Sequence, residues 1–424
     1  MKNISPTLPK REGIADRMSR LSMSGRNDIT PSLWGRIGVG LLCLIQCGCI
    51  TEYEATGIDE VADILVVEGV ITDDATTITL SRSTNLTGSL YSSSYDPNQY
   101  GVSDVYDAKV YVECDDGTQW QAGSPDFGSY MGMGSRYTIK TGQLDLDHKY
   151  CLKIEIEEND YDSNDCSFDV WGNFSCPKKT YKYSSDYSYP IKTPEIDSIF
   201  WMRSGRGQPV WVYIATHSPD QQVLYYRWSY KEDWEINSDV MLEGYPYYCW
   251  NQASSRDLLI GSAEKTVFGQ LTDVINTIYP SDRRLSVLYR INIRQNSISK
   301  RAYDYFANIK KNSQQSGSIF APVPSELRGN IVCTTDPNRV VIGYVDISTT
   351  TQKTRYISRR DNLYEPPHWD CDMIPLADLL EQYDGEIPYF YVVYDTLTMT
   401  YVQTKCVNCT FYGTTQKPDD WPDK

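Results

Sequence analysis

Ile64-Leu65-Val66-Val67-Glu68-Gly69-Val70-Ile71, then Thr72-Asp73-Asp74 and the alternating run Thr76 to Leu80, is the stretch that decides the fold. A β-branched apolar run of strand length, closed by turn residues and followed by strict alternation, reads as two strands in a hairpin. Ala108 to Cys114 and Tyr150 to Ile156 alternate in the same way, with Asp115-Asp116-Gly117 supplying a turn. Between the two pairs, Ser81 to Tyr100 is rich in Ser, Thr, Asn, Gly and Tyr and reads as an exposed loop. Short strands separated by polar turns lead us to expect an immunoglobulin-like β-sandwich over 63–192. Residues 157–179 read as an insertion into one of its hairpins, carrying Cys166 and Cys176.

Thr193-Pro194-Glu195-Ile196-Asp197 reads as a hinge into a second β-rich domain over 193–424. Strands are expected at Val210 to Thr216, Val223 to Tyr230 and Leu285 to Arg294. The last places Leu285, Val287, Tyr289, Ile291 and Ile293 on one face. One clear helix follows, with Ser299 as its cap, Ala302, Tyr305, Phe306 and Ile309 at helical spacing, and Gly317 as its stop. A shorter helix is expected from Leu376 to Tyr383. The expected class is mainly β with minor α.

The chain has 424 residues, with 40 Lys+Arg against 56 Asp+Glu, a net charge of −16. Such acidity argues against binding nucleic acid through its phosphates. Three histidines, His148, His217 and His368, leave little material for a His-rich metal site. His368, beside Trp369, Asp370 and Asp372, reads as a loop histidine. No Gly-x-Ser-x-Gly elbow and no phosphate-cradling glycine loop occurs. Asp160, Asp162, Asn164 and Asp165 begin like a calcium loop but lack its glycine and late glutamate, so a solvated acidic loop is expected. We therefore expect no catalytic residue, no metal and no cofactor. The alternatives are a surface glycan or peptide hydrolase feeding a transporter, for which the many acidic residues offer carboxylate pairs although spacing selects none, or a structural or adhesion protein of the envelope.

The N-terminus speaks to location. Residues 1–36 hold seven basic and three acidic residues, and a nine-residue apolar run, Ile37 to Ile45, follows. That run is too short to span a bilayer, which takes about 20 apolar residues. A basic start, a short apolar stretch and small residues read as a secretory signal over 1–48 with a long basic leader. Gly48-Cys49 suits cleavage before a cysteine that becomes acylated, so Cys49 is the expected lipid anchor. The segment 49–62 is an acidic linker with Glu52, Glu54, Asp59 and Glu60. An acidic segment just after the lipid cysteine resembles the surface-export signal of Bacteroidota lipoproteins, and that resemblance implies a lipid-anchored outer-membrane protein facing the exterior.

Nine cysteines remain beyond Cys49. In an exported chain disulfides are the default. Cys114 and Cys151 lie on expected neighbouring strands, and Cys166 with Cys176 would staple the insertion. Cys406-x-x-Cys409 has no second such pair, so it reads as structural disulfide chemistry rather than a redox or zinc half-site. Aromatic density marks one candidate ligand or partner surface: Tyr226, Trp228, Tyr230, Trp234, Tyr247 and Trp250. The competing reading is sheet packing, since Tyr226, Trp228 and Tyr230 alternate along one strand face.

Several motifs in order carry a resemblance. They are Leu65-Val66-Val67-Glu68-Gly69-Val70-Ile71-Thr72-Asp73, Ile196-Asp197-Ser198-Ile199 and Cys249-Trp250, then Gln295-Asn296-Ser297-Ile298-Ser299-Lys300-Arg301-Ala302-Tyr303. Gly317-Ser318-Ile319-Phe320, Gly329-Asn330-Ile331 and the Cys406-Val407-Asn408-Cys409 tail with Lys417-Pro418 and Trp421 complete the set. Together they resemble the Bacteroidota outer-membrane lipoproteins known as domain of unknown function 4249. The Cys166/Cys176 insertion departs from that pattern. The resemblance implies a companion of a TonB-dependent transporter that helps capture or deliver a nutrient of unspecified identity. It carries no functional residues across.

Overall fold

The computed structural model describes residues 64–83, 103–126, 134–160, 163, 165–168, 174–314, 329–366 and 371–422. The signal segment 1–48, Cys49, the linker 49–62, most of the 81–100 loop, Asp162, Asn164, Gly317 and His368 lie outside the described residues. The described residues belong to one compact unit spanning Ile58–Lys424. None of their helices is long and apolar enough to cross a membrane.

The protein is mainly β, as the alternating patterns require. Leu65–Thr72 pairs antiparallel with Asp74–Arg82, which in turn pairs with Ser135–Gly142 and Ser103–Asp104. A second sheet runs Ile331–Cys333, Lys178–Ser185, Tyr150–Asn159, Ala108–Cys114, Gln119–Gln121. The two sheets bury one shared core, in which Ile71, Ile78, Leu80, Ile139 and Val112 have no exposed surface. Fully burying one such side chain is worth about 1.5–3 kcal/mol, so this core is the main source of order here.

Pairing crosses the expected boundary at 193, which corrects the division into 63–192 and 193–424. Leu65–Thr72 also pairs in parallel with Val341–Ser348, and Ile331–Cys333 edges the second sheet. The hydrophobic run from Leu65 is therefore paired on both sides. Gly343 permits the close approach, since a Cβ there would lie 2.3 Å from the Val67 carbonyl oxygen. The supposed hinge is tied down rather than free, with Thr193 and Ile196 buried. The Thr193 backbone N–H donates to Thr349 Oγ1 at 2.8 Å, and the Gln295 side-chain amide donates to the Pro194 carbonyl at 2.9 Å. The insertion is also shorter than 157–179, because Lys178 already pairs with Asn159.

Beyond it, Ile196–Met202, Val210–His217 and Gln270–Ile278 form a three-stranded sheet. It packs on a larger one ordered Tyr248–Ser254, Tyr225–Asn237, Leu288–Ser297, Thr350–Ser358, with Leu259–Ser262 also on Tyr225–Asn237. The helix Lys300–Gln314 begins where Ser299 caps it, its hydroxyl accepting from the Ala302 N–H at 3.1 Å. Leu376–Gln382 is the short helix expected there. A four-residue helix, Thr404–Val407, carried no sequence signal.

Among the described residues there are three disulfides: Cys166–Cys176, Cys249–Cys409 and Cys371–Cys406. The first matches expectation. Cys406 and Cys409 are both bonded, but to distant partners rather than to one another. Cys114 and Cys151 are unbonded and buried, as is Cys333, which corrects the expected Cys114/Cys151 staple. The ladder explains why. Cys114 opposes Tyr150 while Cys151 opposes Glu113, so the two thiols leave opposite faces of one sheet.

Candidate functional site

The strand Tyr225–Asn237 has 13 residues and alternates, so its two faces carry different chemistry. Its inner face holds Tyr226, Trp228, Tyr230, Glu232 and Trp234. Tyr226 is 0% and Trp228 3% exposed, and Tyr230 and Trp234 pack against the same core. Trp228 Nε1–H donates to the buried Gln295 Oε1 at 2.8 Å. Sheet packing thus accounts for four of the six aromatic candidates, two buried in the core and two packed partly buried against it. Tyr247 is half-buried and meets Tyr248 edge-on with centroids 4.8 Å apart. Glu232 is closed off as well, accepting from Tyr289 Oη at 2.7 Å, Arg284 Nη1 at 3.0 Å and Asn276 Nδ2 at 2.9 Å.

The outer face of the same sheet forms a groove of about 1320 Å³. Its floor is Lys231 and Asp233, then Arg290 and Asn292, then Gln352, Thr354 and Tyr356 across three hydrogen-bonded strands. Trp250 and Gln252 form one wall from the fourth strand, and the C-terminal segment 414–420 forms the rim. That volume exceeds the roughly 300–1,000 Å³ of common small-molecule pockets and suits an extended ligand.

The rim is held in place by the chain itself. Trp250 and Thr414 exchange backbone hydrogen bonds, each at 2.8 Å, and Asn251 Nδ2 donates to the Tyr412 carbonyl at 2.8 Å. Cys249–Cys409 ties the same strand to the start of that tail. Gly413 is required between them, since a Cβ would meet the Trp250 carbonyl oxygen at 2.5 Å.

Charge is concentrated at the centre of the floor. Arg290 Nη2 donates to Asp233 Oδ2 at 2.9 Å, and its Nη1 lies 2.9 Å from Asp420 Oδ2 on the rim. Burial works against the Arg290 charge, but the hydrogen bonds it donates to Asp420 and Asp233 outweigh it and hold its pKa above the ordinary guanidinium value. The same bond from Arg290 holds the Asp420 carboxyl below the ordinary carboxylate range. Asp233 is 2% exposed; its Oδ2 is the Arg290 acceptor, whereas Oδ1 has Lys231 Nζ at 3.9 Å and no hydrogen-bond donor among the described residues. Trp250 Nε1 is likewise buried without an acceptor. Trp250 and Tyr356 sit on the two edge strands, three strand spacings apart, roughly 14 Å. Between them runs a row of amide, hydroxyl and charged groups.

Of the sequence candidates only Trp250 lines this groove. Asp233 and Arg290 were missed, although polar residues alternating with Tyr289, Ile291 and Ile293 signalled a second face with its own use. The rim residues had no local signal, because their place depends on Cys409 finding Cys249.

No curated protein matches the chain. Residues 50–169 and 176–354 match the family described as Domain of unknown function (DUF4249). The match contains Asp233, Trp250, Arg290 and Gln352, whereas Tyr356 and the rim follow it. Since it covers well over half of the sequence, the chain belongs to the DUF4249 family.

Proposed function

We propose that this protein is a lipid-anchored outer-membrane binding protein, tethered by Cys49 at the cell exterior, that captures polar cargo for a TonB-dependent transporter. The groove carries the cargo reading: a polar floor between Trp250 and Tyr356 suits an extended, hydroxyl-rich ligand of oligosaccharide type. Aromatic faces take the apolar faces of sugar rings, while Gln352, Asn292 and Thr354 meet hydroxyls. The tether and the transporter rest on the Gly48-Cys49 signal, the acidic segment after it and the family resemblance. Binding without turnover is the proposed activity.

Two measurements test this reading. Calorimetry with a panel of soluble glycans should detect a ligand whose affinity falls at least 10-fold in Trp250→Ala and Gln352→Ala. A panel bound equally by both variants would remove the groove from the function. Purification of a tagged copy from native membranes should bring down an outer-membrane transporter, and Cys49→Ala should release the protein from the membrane fraction. Glycan or peptide turnover that vanishes in Asp233→Asn would replace binding by hydrolysis.

A further inference from the structure

We propose that Cys114, Asp115 and His148 form a binding site for one zinc-type divalent ion, remote in sequence from the groove residues. The strand Ala108–Cys114 pairs with Tyr150–Asn159, so the turn after Cys114 and the turn before Tyr150 lie at the same end of the sheet. Two backbone contacts fix them together: Asp115 N–H donates to the Lys149 carbonyl at 2.9 Å, and Lys149 N–H donates to Asp115 Oδ2 at 3.1 Å. Asp115 Oδ1 is thereby turned toward His148 Nδ1 at 2.7 Å and Cys114 Sγ at 3.6 Å. One ligand atom from each residue falls within 4.8 Å of the others.

A tetrahedral zinc with bonds of about 2.0–2.3 Å sets its ligand atoms roughly 3.3–3.7 Å apart. The thiol and carboxylate already have that spacing, while His148 Nδ1, 2.7 Å from the carboxylate, moves back from it as the ion enters. Thiolate, imidazole and carboxylate together favour zinc over calcium or magnesium, which take oxygen ligands alone. The Lys149 N–H on the far carboxylate oxygen is the outer contact that orients a metal-bound carboxylate. Cys114 lies beneath the surface, while the Asp115 and His148 side chains are 38% and 42% exposed, which gives an ion a way in. On binding, the thiol proton passes to solvent, His148 ligates as neutral imidazole, and water takes the fourth position.

The molecule carries its own controls. His217 Nδ1 lies 2.7 Å from Asp197 in a similar pair with no thiol, and Cys151 and Cys333 are unbonded thiols outside any such cluster among the described residues. The test is titration of the full chain, disulfides intact, with cobalt(II) as a spectroscopic stand-in, then zinc. One equivalent of cobalt should produce a near-ultraviolet thiolate-to-metal band that zinc abolishes. Cys114→Ser should remove the band, and His148→Ala should weaken binding at least 10-fold, whereas His217→Ala and Cys151→Ser should keep both. The absence of a thiolate band in the unmodified protein, or its survival in Cys114→Ser, overturns the site. Should Cys114→Ser fail to fold, Asp115→Asn and His148→Ala at the surface decide: weakened binding in both supports the site, and unchanged binding in both overturns it.

Discussion

The shared core of the first two sheets and the end of the chain near the groove are held together by different means. The first buries more than a score of apolar side chains and contains unbonded Cys114 and Cys333. The second rests on two three-residue buried clusters, one around Leu379, Tyr391 and Tyr401, the other around Val402, Cys406 and Val407. Both Cys371–Cys406 and Cys249–Cys409 lie in this second region. Small cores bury too little apolar area to offset the entropy of ordering their chain, and covalent links make up the deficit. Two of the three links described above thus lie where the hydrophobic area runs out, and the third, Cys166–Cys176, staples an insertion outside the first core.

The largest expected effect comes from breaking the first region. A fragment ending at residue 192 lacks Ile331–Cys333 and Val341–Ser348, and with them Ile331, Val341, Val345 and Ile347 of the core. It should show no cooperative thermal transition; a sharp melt would mean that the returning strands are ornaments. Next come the staples. In the chain-entropy account, Cys249→Ser opens a link of separation 160 and should cost roughly 5 kcal/mol, Cys371→Ser with separation 35 roughly 4, and Cys166→Ser with separation 10 roughly 3. Denaturant midpoints of the three variants test that order.

Mild reduction sharpens the contrast without mutation. Hydrogen exchange should accelerate through 371–422 after reduction while 65–82 and 150–159 keep their protection. Equal acceleration in both regions would erase the distinction drawn here. The smallest effect concerns the rim. The Asp420 carboxyl is held below its ordinary range by Arg290, so its contribution is present above the unfolded-state value and is lost as pH falls through the folded one. Trp421, whose ring has the Arg290 guanidinium 5.3 Å from its centroid, should report the loosening by fluorescence below the ordinary carboxylate range. A fluorescence change already complete at pH 6 would assign the rim to another contact.

Local pattern revealed much of the fold. The strands at Leu65–Thr72, Ala108–Cys114 and Val210–His217 follow their alternation, as does the helix capped by Ser299. What stayed hidden was pairing at a distance. Nothing in Val341–Ser348 says that its partner is Leu65–Thr72, because a parallel ladder leaves no turn between its strands to read. Leu285 shows a smaller limit: it continues the apolar alternation yet sits in a 3₁₀ turn, and the strand starts at Leu288. Cysteine spacing was equally silent, since bonds form between residues that the sheets bring together. The groove was legible only at Trp250, because its floor and rim come from four strands and a tail.

The parallel pairing of Leu65–Thr72 with Val341–Ser348 also sets a timetable. A ribosome releases Leu65 long before Val341, so the growing chain presents an apolar strand with one open hydrogen-bonding edge for most of its synthesis. Contacts this far apart in sequence form slowly. The first of the described strands to emerge is among the last to be completed, which makes it the natural handle for a chaperone and the natural seed for aggregation when none is at hand.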